Sequence, residues 1–174
     1  RNFVVTVLPE PAPVFNMPDD DRICRGDVVD IGSVLLPGQT YTWSASPFDF
    51  SSAEANPQIQ PQESGTYYLE VSNGSCPFPS RDSISIMVDT PIVISVIGDT
   101  TVCQGESLQL SDLEMLHGVI YEWTGPGEFE DATRPDTRMS PESSGTFTLT
   151  AVNGTCIATA SFELTMTPSA VEIE

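Results

Sequence analysis

The chain carries one set of residues twice. Cys24, Trp43, Ser64-Gly65-Thr66 and Asn73-Gly74-Ser75-Cys76 return as Cys103, Trp123, Ser144-Gly145-Thr146 and Asn153-Gly154-Thr155-Cys156. The offset is 79 residues for the first cysteine (24 to 103) and 80 for the rest (43 to 123, 64 to 144, 76 to 156). An offset that constant means one supersecondary unit used twice. The fold must therefore be one that about 80 residues can close, and function is to be sought in repetition as much as in a single pocket.

The pattern runs past both complete copies. Phe3-Val4-Val5-Thr6-Val7-Leu8-Pro9 reads like Ile84-Ser85-Ile86-Met87-Val88 and like Phe162-Glu163-Leu164-Thr165-Met166-Thr167-Pro168, the closing segments of the two copies. Pro168-Ser169-Ala170-Val171-Glu172-Ile173 resembles the opening Pro91-Ile92-Val93-Ile94. The expected organisation is a closing strand of a preceding repeat over 1–10, complete repeats over 11–89 and 90–167, and the start of a following repeat over 168–174. That is a window on a longer array. An extra N-terminal strand donated to the first domain is the alternative.

A unit of this size buries only about 60% of its unfolded surface, so such domains often carry a staple. Four cysteines at matched spacing offer one per copy: Cys24 with Cys76 and Cys103 with Cys156. Each bridge would close about 53 residues and stabilise by roughly 4 kcal/mol through loop-closure entropy. Zinc is the rival reading, but there is no C-x-x-C and only one histidine, His117. Paired disulfides imply an oxidising, extracellular setting.

Charge narrows the partners. The chain has 25 acidic residues against six arginines, no lysine, and a net charge of -19. That disfavours nucleic acid and anionic membrane surfaces as partners and suits a self-repelling, soluble surface. No apolar run is long enough for a membrane-spanning helix, so direct membrane insertion is not expected. Divalent cations are compatible with the charge.

Period-two alternation dominates, as half-buried strands require. Tyr67, Leu69 and Val71 share a face, as do Phe147, Leu149 and Ala151; Ile84, Ile86 and Val88 match Phe162, Leu164 and Met166; Val29 and Ile31 match Leu108 and Leu110. Asn73-Gly74 and Asn153-Gly154 are two-residue hairpin signals, because both residues tolerate positive φ. Only Leu108 to Leu116 hints at a helix. About seven short strands per copy predict an all-β fold of tandem β-sandwich domains with one disulfide per domain.

Glu63-Ser64-Gly65-Thr66-Tyr67-Tyr68-Leu69 resembles the late-strand signature of immunoglobulin domains, with its tyrosine corner and buried tryptophan. The resemblance implies that Tyr67 is the corner tyrosine, that Phe147 replaces it in the second copy, and that Trp43 and Trp123 are core. Leu69 stands where that signature has its second cysteine, so the bridge is displaced to Cys76, past the hairpin. Each copy reads C-x-G-D/E, Y-x-W, P-x-x-F, S-G-T-Y/F-x-L, V-x-N-G-S/T-C. This is similar to the Ig-like/PKD-like repeats of very large Bacteroidota surface adhesins, including gliding-motility adhesins exported by type IX secretion.

Other residues divide between a functional and an ordinary reading. Asp19, Asp20 and Asp21, with Asp27 and Asp30, form the densest carboxylate cluster; calcium would suit it, but the spacing fits no EF-hand loop, and a solvated acidic turn is the ordinary reading. Asn73 and Asn153 open N-glycosylation sequons that coincide with the hairpins. Ser83 and Thr100 follow aspartates in an Asp-Ser/Thr-apolar context, similar to the O-glycosylation motif of Bacteroidota. Trp43 and Trp123 would be sugar-stacking residues if exposed, but their matched positions argue for packing. Asp131, Arg134, Asp136 and Arg138 lie in a loop with no counterpart in the first copy, which is where recognition residues accumulate. For catalysis, His117 has no nucleophile motif beside it, and no cofactor is expected.

These observations point to a structural or adhesive segment of a long secreted cell-surface filament, with neighbouring repeats, other filament chains or surface glycans as partners. A glycan- or protein-binding accessory module of an exported enzyme is the alternative.

Overall fold

A computed structural model describes residues 2, 4, 11–14, 22–32, 34–74, 76 and 78–168. The expected closing strand over 1–10 falls almost wholly outside the described residues, as do Asp19, Asp20, Asp21 and residues 169–174. The chain divides into two compact units, Arg1–Val88 and Asp89–Glu174. Among the described residues every regular element is a strand.

Unit 1 holds β1 (Arg22–Cys24), β2 (Val29–Asp30), β3 (Thr40–Ser46), β4 (Ser51–Ser52), β5 (Gln58–Ile59), β6 (Gly65–Ser72) and β7 (Ser80–Asp89). They form a five-stranded sheet, β1-β7-β6-β3-β4, and a two-stranded sheet, β2-β5. Unit 2 holds β8 (Thr100–Cys103), β9 (Leu108–Gln109), β10 (Ile120–Thr124), β11 (Gly127–Phe129), β12 (Arg138–Pro141), β13 (Gly145–Asn153) and β14 (Cys156–Thr167). Its sheets run β10-β13-β14-β8 and β11-β12-β9.

The repeat is reproduced at the level of register. Trp43 pairs with Leu69 across β3 and β6, and Trp123 pairs with Leu149 across β10 and β13. Because side chains alternate along a strand, this single register turns Tyr41, Trp43, Tyr67, Leu69 and Val71 inward together. All five are buried, and Ile31, Ile59 and Ile86 close the cluster from the other strands. Unit 2 repeats the arrangement with Tyr121, Trp123, Phe147, Leu149 and Ala151 against Leu110, Met139, Phe162 and Leu164. Each fully buried large side chain contributes about 1.5–3 kcal/mol, so this face holds most of the stabilisation.

Both tryptophans lie in the core with their polar atom satisfied. Trp43 Nε1 donates to the Glu54 carbonyl at 3.0 Å, and Trp123 Nε1 donates to the Pro135 carbonyl at 3.2 Å. The two units fix their aromatic residues differently. Tyr67 meets Phe48 and Phe50 at ring-centroid distances of 5.6 and 5.3 Å, whereas Phe147 stacks on Phe162 at 5.5 Å and meets Phe129 edge-on at 6.2 Å.

Two expectations change. The segment from Leu108 to Leu116 is not helical. Leu110 is drawn into extended pairing, its N–H donating to the Thr137 carbonyl at 3.1 Å and its own carbonyl accepting from Ile97 N–H at 3.1 Å. Met115 and Leu116 are exposed, so the apolar spacing there does not mark a buried stripe. The hairpin of unit 2 is shifted by one residue from the expected Asn-Gly turn. Asn153 still pairs with Cys156, leaving Gly154 and Thr155 as the two loop residues. Gly154 has φ +60° and, among the described residues, no non-glycine residue has positive φ, which fits a turn that demands glycine only at its first central position.

Candidate functional site

The motif C-x-G-D/E is a turn built to present a cysteine. Cys24 N–H donates to Asp27 Oδ2 at 2.9 Å, while Asp27 N–H donates back to the Cys24 carbonyl at 3.0 Å. Cys103 and Glu106 repeat both bonds, at 2.8 and 3.1 Å. Gly26 and Gly105 carry φ of 98° and 91°, the left-handed conformation that makes glycine the third residue of the motif. The acid closes the turn, which is why aspartate and glutamate interchange there.

The motif V-x-N-G-S/T-C is the second cysteine-bearing element. In unit 1, Cys76 N–H donates to Asn73 Oδ1 at 2.9 Å, and Asn73 Nδ2 lies 3.5 Å from Cys76 Sγ. In unit 2 the hairpin grips the segment that leads into the unit. Asn153 Nδ2 donates to the Thr90 carbonyl at 2.8 Å, and Thr155 donates to Asp89 Oδ2 through N–H at 2.8 Å and Oγ1 at 3.1 Å. Both sequon asparagines thus spend their amides on local structure.

The cysteines do not pair within each copy as the spacing suggested. Cys76 and Cys103 are free thiols, Cys103 being exposed, so neither Cys24–Cys76 nor Cys103–Cys156 is formed. Strand register supplies the reason. In unit 2, β8 runs parallel to β14 with Cys103 opposite Thr167, at the far end of β14 from Cys156. At about 3.3 Å per residue that separates them by roughly 36 Å, whereas a disulfide needs Cα atoms within about 7 Å. In unit 1, Cys24 closes β1, which flanks β7 as β8 flanks β14, and Cys76 precedes the start of β7.

Of the divergent loop, Arg134 forks onto Asp136, with Nε and Nη2 donating to its two carboxylate oxygens at 3.0 and 2.9 Å. Asp131 Oδ1 accepts from Thr133 N–H at 2.9 Å and Thr133 Oγ1 at 2.6 Å. Bonds from the Thr133 side chain hold the Asp131 carboxyl below its ordinary range, and the Arg134 fork does the same for Asp136. The loop is anchored beneath: Ser111 Oγ donates to the Pro135 carbonyl at 2.5 Å and Trp123 N–H to the Ala132 carbonyl at 2.8 Å. Its charges are matched among themselves, and Arg138 is exposed on β12.

On the solvent side of unit 1, the register assembles a row Thr42, Glu70, Arg81 beside a row Ser44, Tyr68, Ser83. These line a shallow groove of about 510 Å³. Arg81 Nε donates to Glu70 Oε2 at 2.8 Å, and Tyr68 is 45% exposed. Sequence reading had missed this groove; the signal was the outward half of the same alternation that marks the core. Burial raises the Tyr67 phenol above its ordinary range.

The remaining candidates stand apart. Ser83 is exposed on β7 and Thr100 opens β8. His117 is exposed in the turn before Gly118. Among the described residues no group of three or more His, Cys, Asp or Glu is placed to hold a metal ion.

No protein-family model matches the chain, and no sequence of a characterised protein does so. Solved structures do. The extracellular domains 3–5 of Drosophila OTK superpose with a TM-score of 0.53 at 10% identity, over 84% of this chain and 58% of that one. Sidekick-1 immunoglobulin domains 1–4 match with a TM-score of 0.44 at 14% identity, over 84% of this chain and 46% of that one. The I-band fragment I67–I69 of titin gives 0.42 at 13%, over 84% and 62%. This chain thus spans between about half and two thirds of the fragments it resembles. The OTK likeness shows the fold: all-β, tandem immunoglobulin-like β-sandwich units.

Proposed function

We propose that the chain is a structural and adhesive repeat segment of a long extracellular filament. The observation that carries this is the doubled unit whose only built chemistry, among the described residues, is cysteine presentation: two turn motifs that hold sulfur in place, in two copies that keep the same register. Four cysteines at matched spacing suit an oxidising compartment outside the cytosol. The net charge of -19 keeps such chains from collapsing or clumping. The finer reading, a gliding-motility adhesin of a Bacteroidota cell surface, rests on the motif resemblance alone.

The test is protease shaving of intact cells followed by peptide mapping. Recovery of this segment from the surface, in a parent with many further copies, supports the filament. A catalytic domain next to it, with few repeats, overturns it. The Tyr68 groove supports a second reading, binding of a glycan or protein partner; glycan-array binding lost on Tyr68→Ala is its expected signature.

A further inference from the structure

We propose that unit 1 carries a cleft for an arginine side chain of a partner protein, walled by Phe48, Phe50 and Tyr67 and rimmed by the carboxylates of Asp49 and Glu63. The cleft lies between the β3–β4 connection and residues 58–63, which contain β5. Its volume is about 370 Å³, the small end of the range for ligand sites. Ile59 and Pro61, both buried, complete the apolar lining. The site lies within one unit and does not depend on the array reading.

Local sequence builds the cleft. Gly65 opens β6 without a side chain, and a Cβ there would fall 2.5 Å from Phe48 Cε1, so the ring lies against bare backbone. Phe48 and Phe50 meet the Tyr67 ring at centroid distances of 5.6 and 5.3 Å, with interplanar angles of 60° and 75°. Tyr67 is 2% exposed, yet its hydroxyl has no hydrogen-bond partner among the described residues. No fully buried side-chain polar atom among those residues is left unsatisfied, so this hydroxyl opens to the cleft that Tyr67 lines. The corner hydrogen bond implied by the immunoglobulin resemblance is not made, and the oxygen is left for a ligand to satisfy. Unit 2 departs at these very places: Gly127 stands where unit 1 has Phe48, and Phe147, without a hydroxyl, where it has Tyr67.

The rim selects the chemistry of the ligand. Gln60 Nε2 donates to the Gly26 carbonyl at 2.8 Å and Gln62 Nε2 to the Gln60 carbonyl at 3.2 Å, so these side chains offer a ligand chiefly their Oε1 acceptors. Asp49 and Glu63 add exposed carboxylates, and no arginine lines the cleft. Gln58 is the one glutamine of the lining whose amide makes no bond to a described residue. With the Tyr67 oxygen, the cleft is rich in acceptors and poor in donors. A guanidinium is the complementary group: five N–H donors, no acceptor, and a flat cationic face that stacks on aromatic rings. A lysine ammonium is a compact, strongly hydrated point charge and does not spread its donors over such a rim. Sugar hydroxyls require donors as well as acceptors. The net charge of -19 draws a basic partner towards the chain.

The test titrates the full chain with the peptide acetyl-Gly-Arg-Gly-amide while amide chemical shifts are followed by NMR. A probe this small should bind in the millimolar range. The expected result is shifts confined to residues 48–50 and 58–67, lost when citrulline, of the same shape but uncharged, replaces the arginine. Tyr67→Phe should leave the melting temperature unchanged, because the hydroxyl makes no bond within the unit, and should weaken binding about tenfold. Asp49→Asn combined with Glu63→Gln, both at exposed positions, should abolish binding with the melt again unchanged. An absence of shifts at these residues, equal binding of the citrulline peptide, or full-strength binding by Y67F would each overturn the proposal. So would a Y67F chain that melts lower, since the hydroxyl would then belong to the fold. Shifts of the same residues by cellobiose and not by the arginine peptide would overturn it in favour of a glycan.

Discussion

Phe147→Leu is the substitution that most directly probes how unit 2 is packed. Phe147 is 0% exposed and sits between two rings, stacked on Phe162 at 5.5 Å and edge-on to Phe129 at 6.2 Å. Leucine keeps the site apolar but ends both ring–ring interactions, each worth about 0.5–1.5 kcal/mol beyond burial. It also leaves unfilled volume, because a close-packed core relaxes only in part. The expected loss is about 2–4 kcal/mol, a fall of roughly 10–25 °C in the melting temperature of a domain this small. Differential scanning calorimetry with amide hydrogen exchange over β13 and β14 reads it, and Ile157→Thr is the control. Ile157 is 70% exposed on the same sheet, so its replacement should stay within about 0.5 kcal/mol. Equal effects for the two substitutions would mean that β13 does not turn Phe147 inward, and the register would be wrong.

Other outcomes follow from the turns and charges. Gly154→Ala places a Cβ 2.0 Å from Asp89 Oδ2 at a residue with φ +60°, so it should cost at least about 1–2 kcal/mol; an unchanged thermal melt would contradict the hairpin. The Asp131 and Asp136 carboxyls are held below the ordinary range by hydrogen bonds, so their stabilisation is present above the unfolded carboxylate value and is lost as pH falls through the lower folded value. Carboxyl NMR titration should find both below the ordinary aspartate range, and Arg134→Ala should raise Asp136; values at or above that range would refute the fork.

The core was legible in the sequence because alternation and burial follow one rule: Tyr67, Leu69 and Val71 face inward for the reason their spacing suggests. The cysteine pairing was not legible, and the repeat itself is why. Matched spacing makes a bond within each copy look regular, and what excludes it in unit 2 is the parallel register of β8 on β14, a contact between residues more than 60 apart that no local pattern encodes. The apolar spacing from Leu108 to Leu116 misled for a similar reason, since tertiary pairing with Thr137 and Ile97 overrode the local period. The Tyr68 groove lay in the polar half of strands read for their apolar half.

Thiol alkylation of the native, unreduced chain followed by peptide mapping tests most directly the claim that neither copy carries a bond of its own. Cys76 and Cys103 should both be labelled without reductant. Linked peptides joining Cys24 to Cys76, or Cys103 to Cys156, would contradict it.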